Sequence, residues 1–88
     1  MAQIQKSGTP VLRTTTGNIS LVPGNLLGFY VNSTTAGTVV FADGAGGTVF
    51  NAAITPAIGF HKFPAACSLG CHVTIANTLN ATFFFAAG

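Results

Sequence analysis

Apolar and polar positions form their clearest pattern between residues 24 and 47, in the stretch GNLLGFYVNSTTAGTVVFADGAGG. Two apolar runs, Leu26–Val31 and Thr38–Ala42, are separated by the polar residues Asn32–Gly37. Aromatic and β-branched residues dominate both runs, and these types favour a pleated, half-buried surface. The pattern predicts two antiparallel strands joined by a glycine-bearing turn, which is a β-hairpin.

Alternation within the two runs predicts which side chains face the core. Leu27, Phe29 and Val31 share one face of the first run, and Val39 and Phe41 share one face of the second. Successive side chains of a strand point to opposite faces, so these five residues are the predicted inward set of the hairpin.

The rest of the chain continues as short apolar runs between glycine, proline and asparagine turn signals. Seven to nine such runs at roughly 8–12-residue spacing indicate a sandwich or a barrel, and no window shows sustained helical periodicity. We therefore predict an all-β, single-domain antiparallel β-sandwich, jelly-roll-like, over residues 10–88, with an extended N-terminal arm over residues 1–9. The further predicted strands are 11–16, 18–22, 48–54, 59–63, 71–76 and 81–86, with a turn at 77–80.

Charge is scarce in this chain of 88 residues. Only 5% of the residues are charged, against about 25% in ordinary proteins, while 49% are hydrophobic. The four charged side chains are Lys6, Arg13, Asp43 and Lys62. A folded protein that uses so little charge is expected to have neighbours covering much of its surface. The alternative is a monomer kept in solution by its uncharged polar groups.

The same features argue against several partners. The basic residues are scattered and the net charge is +2, so we expect no nucleic acid. The longest wholly apolar run, Phe83–Ala87, is far shorter than the ~20 residues of a membrane helix, so we expect no membrane contact. The polar start of the chain shows no secretory signal, so we expect synthesis and assembly in a cytoplasm.

Catalytic chemistry has few candidate residues. Asp43 is the one side-chain carboxylate, which excludes a paired-carboxylate hydrolase. Its place before a glycine favours a turn-forming role. No serine lies in the glycine pattern of a nucleophile elbow, so a catalytic triad is weakly indicated. We predict that the protein is not an enzyme and has no catalytic residues.

One cluster has the character of metal ligands: His61, Cys67, Cys71 and His72. Its spacing matches no standard zinc site, and the adjacent Cys71 and His72 point to opposite faces of a strand. A disulfide across Ser68–Gly70 is sterically feasible, but buried free thiols are favoured in a protein made in a cytoplasm. We therefore predict no metal and no cofactor.

Three segments carry a resemblance to a known family. The chain resembles a recurrent type of small tailed-bacteriophage virion protein over residues 25 to 85. The segments that carry the resemblance are LLGFYVNSTTAGTVVFADG, ITPAIGFHKFPA and GCHVTIANTLNATFFF. It implies a β-sandwich or jelly-roll-like module that decorates or cements a phage capsid, often as a trimer. Related modules lie in tails or fibres. The cysteines at 67 and 71 depart from the family pattern, so nothing about that loop is carried over.

The predicted function is a non-enzymatic virion structural protein, most favoured as a capsid decoration or cement subunit. Its predicted partners are further copies of itself, with a trimer favoured, and the major capsid protein or another virion protein. The N-terminal arm is expected to form part of the interface. The rest is expected to come from apolar residues that exceed what one small core can hold. The predicted interface residues are Ile4, Lys6, Arg13, Phe83, Phe84 and Phe85.

A rival hypothesis is a receptor- or glycan-binding module of a phage tail or fibre. Such sites place exposed aromatic rings beside polar groups, for which Tyr30, Phe60 and His61 are the candidates. An enzyme using Cys67 or Cys71 with His61 is the least favoured hypothesis.

Overall fold

The computed structural model describes residues 9–87, and within them the protein is all-β. The predicted all-β class is confirmed: the strands form one antiparallel sheet in a single domain. The described part of the chain holds no helix long and apolar enough to cross a bilayer. The five strands are β1 (Thr9–Arg13), β2 (Gly17–Ser20), β3 (Gly24–Asp43), β4 (Gly59–Cys67) and β5 (Cys71–Ala87).

Two long strands, β3 and β5, pair with each other along their whole lengths. The register runs from Gly24 opposite Ala87 to Asp43 opposite Cys71. The predicted hairpin within β3 is therefore wrong, because the polar residues 33–35 pair with Thr78–Asn80 of β5 and not with a strand of their own. The predicted turn at 77–80 is wrong for the same reason.

Both long strands bend sharply at their polar middles. The ring centroids of Phe29 and Phe41 are 5.4 Å apart, although a straight strand would separate these residues by about 40 Å. Register shifts fall between Val31 and Ser33 and next to Ala36, which has a φ of 53°. On β5, Asn77 has a φ of 61° and donates its side-chain N–H to the Ala36 carbonyl at 2.8 Å. We call this bend the waist (32–37 of β3 and 76–80 of β5).

Because the sheet folds at the waist, both of its halves contribute to one core. The predicted inward residues Phe29, Val31, Val39 and Phe41 are all fully buried, which confirms those four. The prediction that Leu27 faces inward is wrong, because a register shift between Leu26 and Gly28 turns Leu26 inward instead. The other buried members of the core are Ile19, Cys67, Cys71, Val73, Ile75, Leu79, Ala81, Phe83 and Phe85.

The sheet has five strands where seven to nine were predicted, because several predicted strands are continuous with one another. In the first half of the sheet the order is β1-β5-β3-β4, and β2 pairs with β5 in the other half. Four predicted strands merge into β3 and β5. The predicted strand 59–63 continues past Pro64 to Cys67, since proline is tolerated on an edge strand. The predicted strand 48–54 makes two isolated bridges, at Val49 and Ile54.

Asn51 completes the hydrogen bonding between these bridges. Its side-chain Oδ1 accepts the Phe41 N–H at 2.8 Å, and its Nδ2 donates to the Val39 carbonyl at 3.2 Å. The side chain thus supplies the acceptor of the Phe41 N–H at the edge of β3, where a backbone group would otherwise lack a partner. The Val39 carbonyl also accepts the Ile54 N–H at 3.3 Å.

We expect Asn51→Ala to lower the free energy of unfolding by about 1–2 kcal/mol, because the Phe41 N–H loses its acceptor. Urea denaturation followed by circular dichroism measures this change. Asn25→Ala, at an exposed position of β3, is the matched control and should stay within about 0.5 kcal/mol. Equal effects of the two variants would contradict the role of Asn51.

Candidate interaction surface

A row of large side chains crosses the outer face of the first half of the sheet. Leu12 of β1 is opposite Thr82 of β5, Thr82 is opposite Tyr30 of β3, and Tyr30 is opposite Phe60 of β4. Directly opposed residues of antiparallel strands project to the same face. Four strands therefore place these four side chains side by side.

A second row lies next to the first. Pro10 is opposite Phe84, Phe84 is opposite Gly28, and Gly28 is opposite Lys62. The Phe60 ring leans over Gly28, since a Cβ on Gly28 would lie 2.9 Å from the Phe60 Cζ. The missing side chain thus makes room for a ring.

The Phe60 and Phe84 rings of the two rows lie 6.1 Å apart, centroid to centroid. We name Leu12, Tyr30, Phe60 and Phe84 the aromatic face. Leu12 is 60% exposed, Tyr30 44% and Phe60 57%, and Phe84 is half-buried. Exposed apolar side chains grouped on one face are typical of interaction sites, which makes this face the candidate. Within residues 9–87 the other exposed large apolar side chains lie outside the strands, at Leu21, Val22, Val49, Ile54, Ile58 and Leu69.

The outer face of the other half of the sheet has a different chemistry. Thr38 is opposite Ala76, and Val40 is opposite Thr74. These are small or hydroxyl-bearing residues apart from the half-buried Val40, and the 59% exposed Val49 bridges to Ala42 at the edge of this half. The two outer faces therefore differ, and large aromatic side chains are concentrated on one of them.

The predicted interface residues of the last strand divide between the two faces of β5. Phe83 is fully buried and Phe85 is 4% exposed, both within the core of the same chain. Their rings are covered by this chain and do not reach its surface, which removes both from the predicted interface. Phe84 alone points outward, onto the aromatic face. The alternation of a strand separates the three rings.

The predicted basic contact at Arg13 has a local use. Its Nε and Nη2 donate to the carbonyls of Thr15 and Thr16 at 3.4 and 3.2 Å. The guanidinium group thereby closes the turn between β1 and β2. The other two arm residues of the predicted interface, Ile4 and Lys6, lie outside the described residues.

The free edge of β4 is protected against pairing with another strand. Within residues 9–87 β4 pairs with β3 alone. It carries Lys62 and Pro64, and a lysine and a proline on an edge strand both oppose strand addition. The broad side of the sheet is therefore a better docking surface than this edge.

The three candidates for a glycan site do not share one face. Tyr30 and Phe60 are neighbours on the aromatic face, but the His61 ring stacks on Phe29 on the inner side, at 5.2 Å between centroids. The His61 Nε2 also lies 2.7 Å from the Ala57 carbonyl. His61 thus has a packing role.

A polar cluster borders the aromatic face and was not singled out by sequence reasoning. The Asn32 Nδ2 donates to the Asn80 Oδ1 at 3.0 Å and to the Thr82 Oγ1 at 3.3 Å. Asn32 and Asn80 lie on the waist, on two different strands. No local sequence signal brings them together, because residues 32 and 80 are joined by strand pairing alone.

The residues that the sequence offers for catalysis, Asp43 and the two cysteines, have structural roles. The Asp43 Oδ1 accepts the Leu69 N–H at 2.7 Å, which ties the end of β3 to the loop between β4 and β5. Cys67 and Cys71 are both buried free thiols. Burial is the main cause that raises the pKa of both thiols, and the Asp43 carboxylate acts in the same direction. A buried thiol with a raised pKa is a poor nucleophile.

Metal ligands are also dispersed. In the part of the chain that the structure describes, no three His, Cys, Asp or Glu side chains group closely enough to hold a metal ion. His61 packs on Phe29 in one half of the sheet. His72 is opposite Ala42 in the other half, so the two histidines of the sequence cluster are kept apart.

The aromatic face is thus the described surface with the strongest character of a binding site. Its chemistry is apolar and aromatic, with a lysine at one border and an amide cluster at another. Comparison of the chain with protein-family models, with curated proteins and with solved structures finds no match.

Proposed function

We propose that this protein is a non-enzymatic structural subunit of a phage particle, most favoured as a capsid decoration or cement protein. In this proposal it associates with copies of itself and with the major capsid protein or another virion protein. The observation that carries the proposal is the aromatic face in a chain with only four charged side chains. The resemblance of residues 25 to 85 to phage virion proteins supports the location in a virion.

The aromatic face supports self-association on physical grounds. Burying apolar surface releases roughly 25 cal/mol per Å², and a standard interface covers about 800 Å² on each partner. The chain exposes 4930 Å², so such an interface takes roughly a sixth of its surface. Two rows of side chains across four strands form an aromatic centre for that area, as interfaces favour.

The proposal includes a finer description of the fold. The waist brings the two halves of the sheet to either side of one core, and this arrangement supports a jelly-roll-like β-sandwich. A trimer is the favoured oligomer. In such a trimer the hydroxyl-bearing outer face, with Thr38 and Thr74, stays in water while the aromatic face is covered.

We expect the wild-type protein to run as a closed oligomer, with a trimer favoured, when its mass is measured by multi-angle light scattering. Phe60→Asp should convert it to a monomer of 8.9 kDa, because a carboxylate would be buried in an apolar interface. Thr74→Asp, exposed on the other outer face, is the matched control and should leave the oligomer intact.

Two outcomes would contradict self-association through the aromatic face. One is a wild-type monomer at micromolar concentration. The other is an oligomer that survives Phe60→Asp but dissociates with Thr74→Asp, which would move the interface to the opposite face. A particle test follows: a decoration protein is present in hundreds of copies in purified virions, and incorporation should fail for Phe60→Asp.

A glycan-binding module of a tail or fibre is the second candidate function. One observation favours it: Tyr30 and Phe60 lie beside the Asn32–Asn80–Thr82 hydrogen-bond cluster. Aromatic rings next to amides and hydroxyls are suited to the apolar faces and hydroxyl groups of sugars. Binding of neutral oligosaccharides, lost in Tyr30→Ala, together with a few copies per particle, would replace the decoration proposal.

A further inference from the structure

The two cysteines of the chain are neighbours in space. Cys67 ends β4 and Cys71 begins β5, and both side chains are buried, with exposed fractions of 2% and 0%. Both side chains belong to the same cluster of buried core residues. A three-residue linker, Ser68–Gly70, connects them.

The position of the two cysteines in the fold means that a bond between them would connect the two halves of the sheet. Cys67 is opposite Gly24, the first residue of β3, and Cys71 is opposite Asp43, the last residue of β3. The two ends of the folded strand therefore meet at the cysteine pair, at the end of the sheet opposite the waist. At that end the two halves of the sheet are connected by loops, and a covalent bond between the sulfurs would join them directly.

We propose that Cys67 and Cys71 are a disulfide-forming pair that clamps the open end of the folded sheet under oxidising conditions. The proposal is independent of the proposed function, because it concerns the stability of the single chain. Free thiols are the expected state in a reducing environment, and the bridge is the expected state in an oxidising one.

The oxidant is a small disulfide such as glutathione disulfide. The thiolate of one cysteine attacks a sulfur of glutathione disulfide, forms a mixed disulfide and releases one glutathione thiolate. The second cysteine, as its thiolate, then attacks the protein sulfur of the mixed disulfide and releases the second glutathione. The two protein thiols lose two electrons and two protons, and one glutathione disulfide becomes two glutathione molecules.

The loop between the cysteines controls access to them. The Leu69 N–H donates to the Asp43 Oδ1 at 2.7 Å, and a Cβ on Gly70 would lie 2.7 Å from the Ser20 carbonyl oxygen. The loop is thus hydrogen-bonded to the end of β3 and packs closely against the end of β2, while the Leu69 side chain is 68% exposed. Oxidation therefore requires local opening of the loop, and anything that loosens it should accelerate the reaction.

The test treats the purified, reduced protein with excess glutathione disulfide and measures its intact mass and thermal unfolding. We expect a loss of two hydrogens with no retained glutathione, and a peptide map that joins Cys67 to Cys71. The melting temperature should rise by about 10 °C, because a short closed loop gives a modest entropic stabilisation in a domain of this size. Reduction with dithiothreitol should reverse the rise.

Variants separate the clamp from other causes. Cys67→Ser and Cys71→Ser should each show no rise in melting temperature on oxidation. Asp43→Ala should speed bridge formation roughly tenfold, because the loop loses a hydrogen bond to a carboxylate and the thiols lose a nearby negative charge. If either serine variant is unfolded, the wild-type peptide map still decides.

Three results would overturn the proposal. The first is a wild-type protein that retains one glutathione on each cysteine. The second is a bridge between two chains in place of the intrachain one. The third is an intrachain bridge that lowers the melting temperature, which would show that the geometry of the pair is incompatible with a clamp.

Discussion

We expect Phe41→Ala to lower the free energy of unfolding by about 3–5 kcal/mol, the largest effect of any substitution considered for this protein. The Phe41 ring is fully buried at the centre of the core. Its centroid lies 4.6 Å from that of Phe63, 5.4 Å from that of Phe29 and 5.7 Å from that of Phe83. Alanine would leave a cavity lined by these three rings. Urea denaturation followed by circular dichroism measures the loss.

Phe60→Ala is the matched control, since it removes the same ring from the aromatic face. Phe60 is 57% exposed, so its truncation should cost less than about 1 kcal/mol in the monomer. The measurement is made at a concentration where the protein is monomeric. Equal losses for the two variants would contradict the assignment of inner and outer faces of the sheet.

The second large effect is expected at the waist. A Cβ on Gly37 would lie 2.5 Å from both the Thr78 carbonyl oxygen and the Leu79 Cβ. Gly37→Ala therefore pushes β3 away from β5 at the bend, and we expect a loss of about 2–3 kcal/mol, as for other overpacked positions. The drop in melting temperature reports it directly.

Ala36→Gly is the companion variant at the neighbouring residue. Ala36 has a φ of 53°, a conformation that costs an alanine about 1 kcal/mol relative to glycine. We expect this substitution to stabilise the protein, or at least to leave its stability unchanged. If Gly37→Ala is neutral and Ala36→Gly is destabilising, the waist does not have the described backbone.

The waist also determines which surfaces the protein presents. Folding the sheet places the inward rings of both halves together and leaves two outer faces of unlike chemistry. The aromatic face has Phe60 and Tyr30, while the other face has Thr38 and Thr74. An assembly built through the aromatic face alone would leave the opposite face, with Thr38 and Thr74, uncovered.

Much of the core follows from the sequence alone. Alternation predicts that Phe29, Val31, Val39 and Phe41 face inward, and all four are buried. This succeeds because the period of two is a property of any strand, whatever its partner. The prediction for Leu27 is wrong because a bulge shifts the alternation by one residue, and a bulge depends on the partner strand.

The pairing of the strands was beyond local sequence signals. Asparagine, serine and glycine at 32–37 favour turns, and the same residue types suit a bulged strand that bends. The two outcomes differ in whether residues 33–35 find hydrogen-bond partners, and those partners are Thr78–Asn80, more than forty residues away. A hairpin prediction uses nearby residues and does not include that alternative.

The candidate site shows the same division. Its four members, Leu12, Tyr30, Phe60 and Phe84, come from four different strands, and only the register brings them together. The sequence by itself determined that the protein is all-β, has little charge and has a core of alternating aromatic and aliphatic residues. The tertiary structure decided the folded two-strand pairing and the aromatic face, because each depends on contacts between residues far apart in the chain.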